Sequence, residues 1–595
     1  MELIAVGIPH SSSGLLVIFM MQNKRVVPNK IPQEVYQGLE AIVGKENISA
    51  DRAIIETYSR FGIDITGFLK KHAKDPSNIP ACIVLPATTD EIQRIVKVAN
   101  AYKIPFIPMT NGQLGIANMP TTPDPTICIH FSRMDKILAI DEDAMTMRVQ
   151  PYTDYGQVQA EAMKRGLWNG GTPLATSLCK IASQAVLAGI WQTSKKYGTL
   201  DKNIVGFTVV LPDGEILKIG SHANEGIDDF WEYAPGPDLF SLFRGSAGSN
   251  GILAEVSIKL YPWPGGVVLP EPEAGRPCIR NYRDDRFDHA PPPKNHRLHW
   301  VEFPDIDHQI AALREVAHAG IGIGLNATGI YNVYYCSATQ EQTLKWVADK
   351  FFPPYNLYII SMGITSDKQL DYEEKVIRDI AQKYGGTLLC ADYKSEVLEA
   401  LSPWNLDCIR HVCGYRMARH FYLDTWFCSG VAEIGKDAQN IWTAAINTIG
   451  ETYVTDRGGV DNTPFMYASD PVGRNFFTEA DVYPDGMNPQ LLQKAQQLMM
   501  FSHGQTFAQK IGPGVTGFGA SLEPLTSFFP EMGPNVHLLL RKFRKVLDPN
   551  GVCAPGRSVF TQEELENMPQ PIADAINGLR QMCGMAPVDV KKNKE

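Results

Sequence analysis

The stretch from Pro80 to Gly115, PACIVLPATTDEIQRIVKVANAYKIPFIPMTNGQLG, constrains the fold of this chain more than any other. Ala81 to Leu85 is a short apolar run closed by Pro86, the pattern of a buried strand. Thr88 and Glu91 have the spacing of a capping box, in which a side-chain oxygen satisfies an N–H at the helix start. Ile92, Ile95, Val96, Ala99 and Tyr102 then repeat at the spacing of one helical face, so a helix is expected there with these five on its buried side. Pro105 is the expected stop, and Phe106 to Met109 resumes as a strand. The loop Thr110-Asn111-Gly112-Gln113-Leu114-Gly115 follows, and small residues at a strand end offer backbone N–H groups to an anion. Strand, helix, strand and loop in so short a span suit an α+β or α/β unit with a loop that could hold an anion such as a pyrophosphate.

At 595 residues the chain exceeds one core, so two or more domains are expected. A net charge of −10 and the lack of any Lys/Arg-dense tract argue against a nucleic-acid surface. The eleven cysteines include no CxxC pair, so neither an iron–sulfur cluster nor a zinc ribbon is supported, and no metal is expected. Their odd number and scattered spacing suit a reducing compartment, so a cytoplasmic location is expected. No apolar run reaches membrane-spanning length. Gly14 to Met21 is apolar but precedes Lys24 and Arg25, the reverse of a signal peptide, and Met20 or Met21 is a candidate natural start.

Residues 1–78 read as an N-terminal arm, helical and polar from Gln22 to Asn78. Residues 79–264 alternate strand and helix. Thr126 to Phe131 and Met145 to Val149 read as strands, and Tyr155 to Arg165 as a helix closed by Gly166. Ile204 to Leu211 and Glu215 to Ile219 flank Pro212-Asp213-Gly214, a hairpin signal because Asp-Gly accepts the positive φ of a tight turn. Gly265 to Asn295 is rich in Pro, Gly and charge and marks a boundary; a long surface loop is the competing reading. Residues 265–520 then form a second domain, and 521–595 a C-terminal segment with a basic helix from Leu538 to Leu547.

Three further segments bear on chemistry. In Gly170 to Gly206 the small residues Thr176, Ser177, Ala182 and Ser183 would let the backbone approach a flat ring edge, although a turn and helix packed through small residues read the same way. Gly245, Gly248 and Gly251 mimic a dinucleotide fingerprint, but a strand follows them where a nicotinamide site requires a helix, so that site is rejected. Leu547-Asp548-Pro549-Asn550-Gly551 leads into Ala554-Pro555-Gly556-Arg557, a turn and a Pro-Gly bend.

Taken in order, these segments resemble the vanillyl-alcohol oxidase and p-cresol methylhydroxylase family of FAD-linked oxidoreductases. The resemblance rests on Asn100-Ala101-Tyr102-Lys103-Ile104-Pro105, and on Ile181-Ala182-Ser183 with Tyr197-Gly198 and Val205-Gly206. It rests also on Leu239-Phe240 with the Arg244–Ile252 glycine run, and on the Leu547–Arg557 signature. It implies a two-part FAD-binding domain, an α+β cap domain over the substrate, and a C-terminal segment returning to the FAD side. It also implies FAD contacts from Thr110, Asn111, Gly112, Gly115, Thr176, Ser177, Ile181, Ala182, Ser183, Gly251 and Ile252, with Arg557 as a flavin-side cation. Ala182-Ser183 stands where the family has Gly-Gly.

The implied reaction is hydride transfer from a small hydroxylated substrate to flavin N5, with 4-alkylphenols and aromatic alcohols as candidates. Phenol-oxidising members use two tyrosines and an arginine. Here the first position is Leu114, and the stretch Gly512 to Gly519 holds neither of the others, so the substrate and any covalent flavin link stay open. A 2-hydroxyacid dehydrogenase is the alternative enzyme, and a flavin-fold subunit without catalysis the alternative of another class. Arg410, His411, Tyr415, Arg416, Arg419 and His420 form a cationic–aromatic cluster suited to a phenolate or carboxylate, or equally a solvated helix face. Arg416, His420 and His503 are the candidate catalytic residues; Asp456 and Arg457 read as a surface ion pair. The electron acceptor would be oxygen or a redox protein, and relatives of this fold are commonly dimers or larger.

Overall fold

The structure, a computed structural model, describes residues 30–58, 80–110, 125–171, 173, 178–187, 189, 191–233, 237–246, 248–265, 295–327, 340–388, 426–433, 453–454, 459–460, 465–468, 470–483, 536–555, 566, 570–582 and 584–589. The expected boundary loop, the 410–420 cluster, Leu114, Asp456, Arg457, His503, the 512–519 stretch and Arg557 lie outside the described residues, as do Asn111, Gly112, Gly115, Thr176 and Ser177.

The opening segment folds largely as its pattern dictates. Strand β1 (Ile48–Ser49) from the N-terminal arm pairs antiparallel with β2 (Cys82–Val84), while β3 (Phe106–Met109) and β4 (Ile127–His130) run parallel to β2 in the order β1-β2-β4-β3. Helix α1 (Gln33–Val43) buries Val35, Leu39 and Val43 against the same core, and α2 (Arg52–Tyr58) follows β1. Helix α3 (Thr89–Tyr102) starts where Thr88 Oγ1 accepts the Glu91 N–H at 3.1 Å. The Glu91 carboxylate accepts the N–H of Ala87 at 2.7 Å, one residue earlier than a strict capping box. Two expectations need correction. Lys103, in the left-handed region at φ 51°, ends the helix before Pro105 is reached, its N–H returning to Ala99 and Asn100. Tyr102 is 47% exposed, while Ile92, Ile95, Val96 and Ala99 are fully buried.

A second, antiparallel sheet comprises β5 (Ile137–Asp141), β6 (Thr146–Val149), β7 (Ile204–Val210), β8 (Ile216–Gly220) and β9 (Ile252–Lys259), in the order β5-β6-β9-β7-β8. The β7–β8 hairpin turns at Gly214, φ 89°, as the Asp-Gly pair requires. Helix α4 (Tyr155–Met163) starts on a full capping box, Asp154 with Gln157. The apolar face of α3 lies in one core with Val210, Ile252 and Ala254 of the second sheet and Cys82, Val84, Ile127 and Ile129 of the first. Burial of each large side chain there contributes about 2 kcal/mol.

Past the boundary, a nine-stranded antiparallel sheet forms from β10 (His296–Glu302), β11 (Gly324–Ala327), β12 (Asn356–Met362), β13 (Thr387–Leu388), β14 (Trp426–Glu433), β15 (Tyr453–Val454), β16 (Gly459–Val460), β17 (Phe465–Ala468) and β18 (Asn475–Tyr483). Its order is β13-β10-β12-β11-β17-β18-β16-β15, with β14 also on β18. One face, through Val301, Leu325, Leu357 and Ile359, packs on helices α7 (Ile306–His318) and α9 (Asp367–Lys383), which follow the β10 and β12 strands. Strand alternation sends Trp300, Tyr358 and Asn326 to the other face, where Trp300 and Tyr358 stack at 5.6 Å between centroids. Asn326 Nδ2 there donates to the carbonyl of Gln192 at 3.3 Å. The neighbouring Lys195 ammonium reaches the carbonyl of Gly322 at 3.3 Å, and Glu373 accepts the Gly322 N–H at 3.1 Å. Burial lowers the Lys195 pKa to about 8 against the opposing pull of Glu373.

The cofactor site at the strand ends

Four segments remote in sequence meet by direct contact. Cys553 bridges Phe106 in parallel, with the Phe106 N–H donating to Val552 and the Ala554 N–H to Phe106, both at 2.8 Å, so the C-terminal segment continues the first sheet beyond β3. Asp548 holds that return, accepting the N–H groups of Val552 at 3.0 Å and Cys553 at 2.9 Å. The Cys553 thiol donates to the carbonyl of Gly248 at 3.0 Å, tying the C-terminal segment to the glycine run. The Gly245 N–H donates to Val186 at 2.6 Å, which ties the run to helix α5 (Ile181–Leu187). Asn550 Nδ2 donates to Asn100 at 2.9 Å, and Asn100 in turn donates to Pro212.

The glycine run is shaped by close approach. Gly245, Gly248 and Gly251 take φ of 70°, 79° and 140°. A Cβ on Gly248 would lie 2.4 Å from Pro108 Cγ, and one on Gly251 would lie 2.9 Å from Val209 Cγ1. The turn therefore lies with main chain directly on β3, two residues before Thr110 opens the anion loop. The strand β9 begins at Ile252 straight after Gly251, as the rejection of a nicotinamide site requires.

Of the residues expected to contact the flavin, Thr110 stands at the end of β3. Ile181 is wholly buried in the core, and its N–H donates to Thr153 at 2.9 Å; the Ala182 N–H donates to Pro151 at 3.3 Å. Ser183 Oγ donates to Lys180 at 2.8 Å. These hydrogen-bonding groups are thus engaged within the fold. Gly251 and Ile252 sit where the turn enters β9.

Sequence reasoning passed over a polar cluster beside these residues. His130 ends β4, buried edge-on against Tyr58 at 4.7 Å and tilted against Tyr152 at 5.3 Å, with its Nδ1 accepting the Ser132 N–H at 3.3 Å. Burial lowers its pKa to about 4, helped by the Lys180 charge and opposed by a hydrogen bond to the Thr110 backbone, so the ring is neutral. Lys180 lies over the Tyr152 ring at 4.3 Å and pairs with Asp154 at 3.3 Å. The signal was available: Lys180 is the one cation in the run GGTPLATSLCKIASQAVLAG, and His130 closes an otherwise apolar strand.

A family profile described as "FAD binding domain" matches residues 80–220, spanning the first parallel strands, the α5 segment and the β7–β8 hairpin. The chain carries an FAD-binding domain. Its residues fit the group. The FAD-binding domain would hold the cofactor through the backbone at Thr110, through the glycine turn, where Gly248 and Gly251 leave no room for a Cβ, and through the buried Lys180 ammonium suited to an anionic group. The chain as a whole has the fold of p-cresol methylhydroxylase with substrate bound, at a TM-score of 0.69 and 16% identity over 91% of this chain and 99% of that one. It is 28% identical over 242 residues to the mitochondrial D-lactate dehydrogenase [cytochrome] of Arabidopsis thaliana, and 28% over 235 residues to glycolate oxidase subunit GlcD of Bacillus subtilis. These alignments cover 39% of this chain and 40% and 46% of the relatives, so the chain spans less than half the length of the curated relatives it matches.

Proposed function

We propose that the protein is an FAD-dependent oxidoreductase acting on a small hydroxylated molecule. The observation that carries this reading is the mutual contact of the four segments around β3, Gly248 and Cys553. Bound FAD would supply the hydride acceptor. The chain's own residues set the conditions for that transfer. Pairing of Lys180 with Asp154 and its seat on Tyr152 fix a cation at the site. A neutral His130 keeps the end of β4 free of a second positive charge. Lys195 and Asn326 join the cap sheet to the Gln192–Lys196 stretch of the FAD-binding domain and hold the two together around the reaction.

For the substrate, the stacked Trp300 and Tyr358 on the cap-sheet face turned toward Gln192 support an aromatic alcohol or 4-alkylphenol. A 2-hydroxyacid is the second reading, favoured by the local likeness to D-lactate dehydrogenase and glycolate oxidase. Cys82 and Cys553 are buried cysteines outside any disulfide, which supports the cytoplasmic placement.

An absorption spectrum of the purified protein tests the cofactor, with a flavin band expected; its lack would overturn both enzyme readings and leave a flavin-fold subunit. Anaerobic bleaching by 4-alkylphenols, with D-lactate and glycolate inert, is the expected substrate result. The reverse pattern would move the assignment to the 2-hydroxyacid. Acid precipitation then reports a covalent link by whether the colour stays in the pellet.

A further inference from the structure

The seam where the cap sheet meets the FAD-binding domain is lined by buried rings. His296 lies against Trp263 at 5.5 Å between ring centroids, and Trp263 against Trp168 at 5.3 Å. Beside these rings the two halves touch main chain to main chain. The Lys196 N–H donates to the Ile323 carbonyl at 3.2 Å, and a Cβ on Gly324 would lie 2.5 Å from the carbonyl oxygen of Gln192. Backbones this close leave little slack between the cap and the Gln192–Lys196 stretch.

Into this seam the short helix α6 (Ser194–Tyr197) turns Lys195, which is 2% exposed. An ammonium has three donors, and among the described residues the Gly322 carbonyl takes one of them, at 3.3 Å. The two cap carboxylates that draw on the charge through space are engaged elsewhere. Glu373 accepts the Gly322 N–H at 3.1 Å and Gln369 Nε2 at 2.9 Å. Asp470 accepts the N–H groups of Val472 and Arg474, both at 3.0 Å, and Arg474 Nε at 2.9 Å. Lys196, on the same helix, repels the charge. Burial outweighs the attractions and draws the Lys195 pKa from 10.5 to about 8. At neutral pH the side chain is therefore still charged, in a seam that solvates it poorly. It ties the halves by its hydrogen bond and strains them by its charge.

We propose that Lys195 is a positioning residue that makes the seating of the cap proton-linked. The Gln192–Lys196 stretch is held loosely under the cap while the lysine is charged, and firmly once it is neutral.

When the seam opens, Lys195 meets water and its pKa returns to 10.5, so between about 8 and 10.5 the open form binds more protons than the closed one. Closure is favoured as pH rises through that window, and opening is easiest at neutral pH and below. His296, in the same seam, is held neutral by burial down to about pH 4 and takes no part in this window. A cap that seats weakly at neutral pH lets a small molecule pass to and from the site beneath it.

Hydrogen exchange on the full-length holoenzyme tests this, read by mass spectrometry on peptides covering Gln192–Lys196 and corrected for the intrinsic rise of exchange with pH. Neither substrate nor turnover is needed. Opening of the stretch should fall about tenfold between about pH 7 and pH 9, while the β6–β9 ladder keeps its protection. Lys195→Met removes the charge, so at neutral pH it should protect the stretch at least about tenfold over wild type and abolish the pH dependence. A lysine serving only as a tie would give the opposite sign, because the Gly322 hydrogen bond is lost. Glu373→Gln keeps an acceptor for the Gly322 N–H but removes a charge that helps Lys195 hold its proton, so the fall should begin at lower pH. Unchanged protection of the wild type across this range, a Lys195→Met protein that opens more readily, or an unmoved profile in Glu373→Gln would each overturn the proposal.

Discussion

The FAD-binding half and the cap half are built by opposite means. At the nucleotide end, contact is made by main chain: Gly248 on Pro108, Cys553 beside Phe106, and the Asp548 carboxylate on two amides. On the cap sheet, the face toward Gln192 is defined by side chains, with Trp300, Tyr358 and Asn326 projecting from a regular ladder that would accept many other residues. A site made of backbone tolerates little change in position and much in surrounding sequence. A site made of side chains on a sheet keeps its frame while its chemistry changes. The family profile accordingly matches within the FAD-binding half, over residues 80–220, whereas the likeness to p-cresol methylhydroxylase spans nearly the whole chain as fold.

The largest expected effect comes from putting a side chain into the backbone site. In Gly248→Val, a β-branched residue must adopt φ 79° with its Cβ 2.4 Å from Pro108 Cγ. Left-handed strain and overpacking together should cost about 4 kcal/mol. Flavin content per protein, read as the ratio of visible to ultraviolet absorbance, should collapse. The matched change on the cap side is Gly385→Ala, at φ 63° with no atom within 4 Å of the added Cβ. It should cost only about 1 kcal/mol and leave flavin content intact. Equal flavin loss in both would erase the distinction between the halves.

Acid should act on both halves alike, and so test whether they unfold together. His130 at the nucleotide end and His296 and His299 in the cap sheet are all held at pKa values of about 4 by burial. In the unfolded chain each returns to about 6.5. The unfolded state therefore binds more protons between these values, and stability is full above pH 6.5 and falls as pH drops toward 4. The loss is on the order of 3 kcal/mol per histidine. Melting temperature against pH should fall across this window, and His299→Gln or His130→Gln should flatten it. If His299→Gln flattened only the cap signal while flavin release kept its pH slope, the halves would be independent folding units.

The same contrast explains what could be read in the chain beforehand. Most of Pro80 to Met109 was legible, because strand, cap and most of the helix face each leave a spacing signal. The glycine run and the C-terminal signature were legible for the same reason: backbone approach demands Gly, and return turns demand Asp-Pro-Asn-Gly. Strand β5 was missed, since Ile137–Asp141 alternates weakly and is mostly exposed at a sheet edge. His130, Lys180 and the Trp300–Tyr358 pair were missed because a lone residue on a strand or turn acquires its meaning from neighbours on other strands, and register is not written in local pattern. The stop at Lys103 instead of Pro105 shows a non-glycine residue taking the left-handed cap, which spacing does not announce.

A smaller effect is expected where the C-terminal segment is pinned. Asp548→Ala removes the acceptor for the Val552 and Cys553 amides, both buried, at a cost of about 2 kcal/mol. Because Cys553 touches both Phe106 and Gly248, the loosened return should speed FAD release on dilution, followed by the rise in free-flavin fluorescence, while the cap melts unchanged. Asp548→Asn keeps one acceptor oxygen and should recover about half the loss.

The smallest effect separates helical spacing from burial. At 100° per residue, Tyr102 lies roughly 70° from the centre of the stripe formed by Ile92, Ile95, Val96 and Ala99, at the last turn before Lys103. It belongs to the period yet stands at the edge of the core, which is why it is half exposed. Tyr372 of α9 on the cap half is 63% exposed on a helix whose buried residues are Leu370, Glu373, Ile377, Ile380 and Ala381. Tyr102→Ala and Tyr372→Ala should each change unfolding stability by no more than about 0.5 kcal/mol, measured by denaturant titration. A loss near 2 kcal/mol for Tyr102 alone would mean that its ring covers the core in solution, and that the five-residue stripe read from spacing is the true packing face of α3.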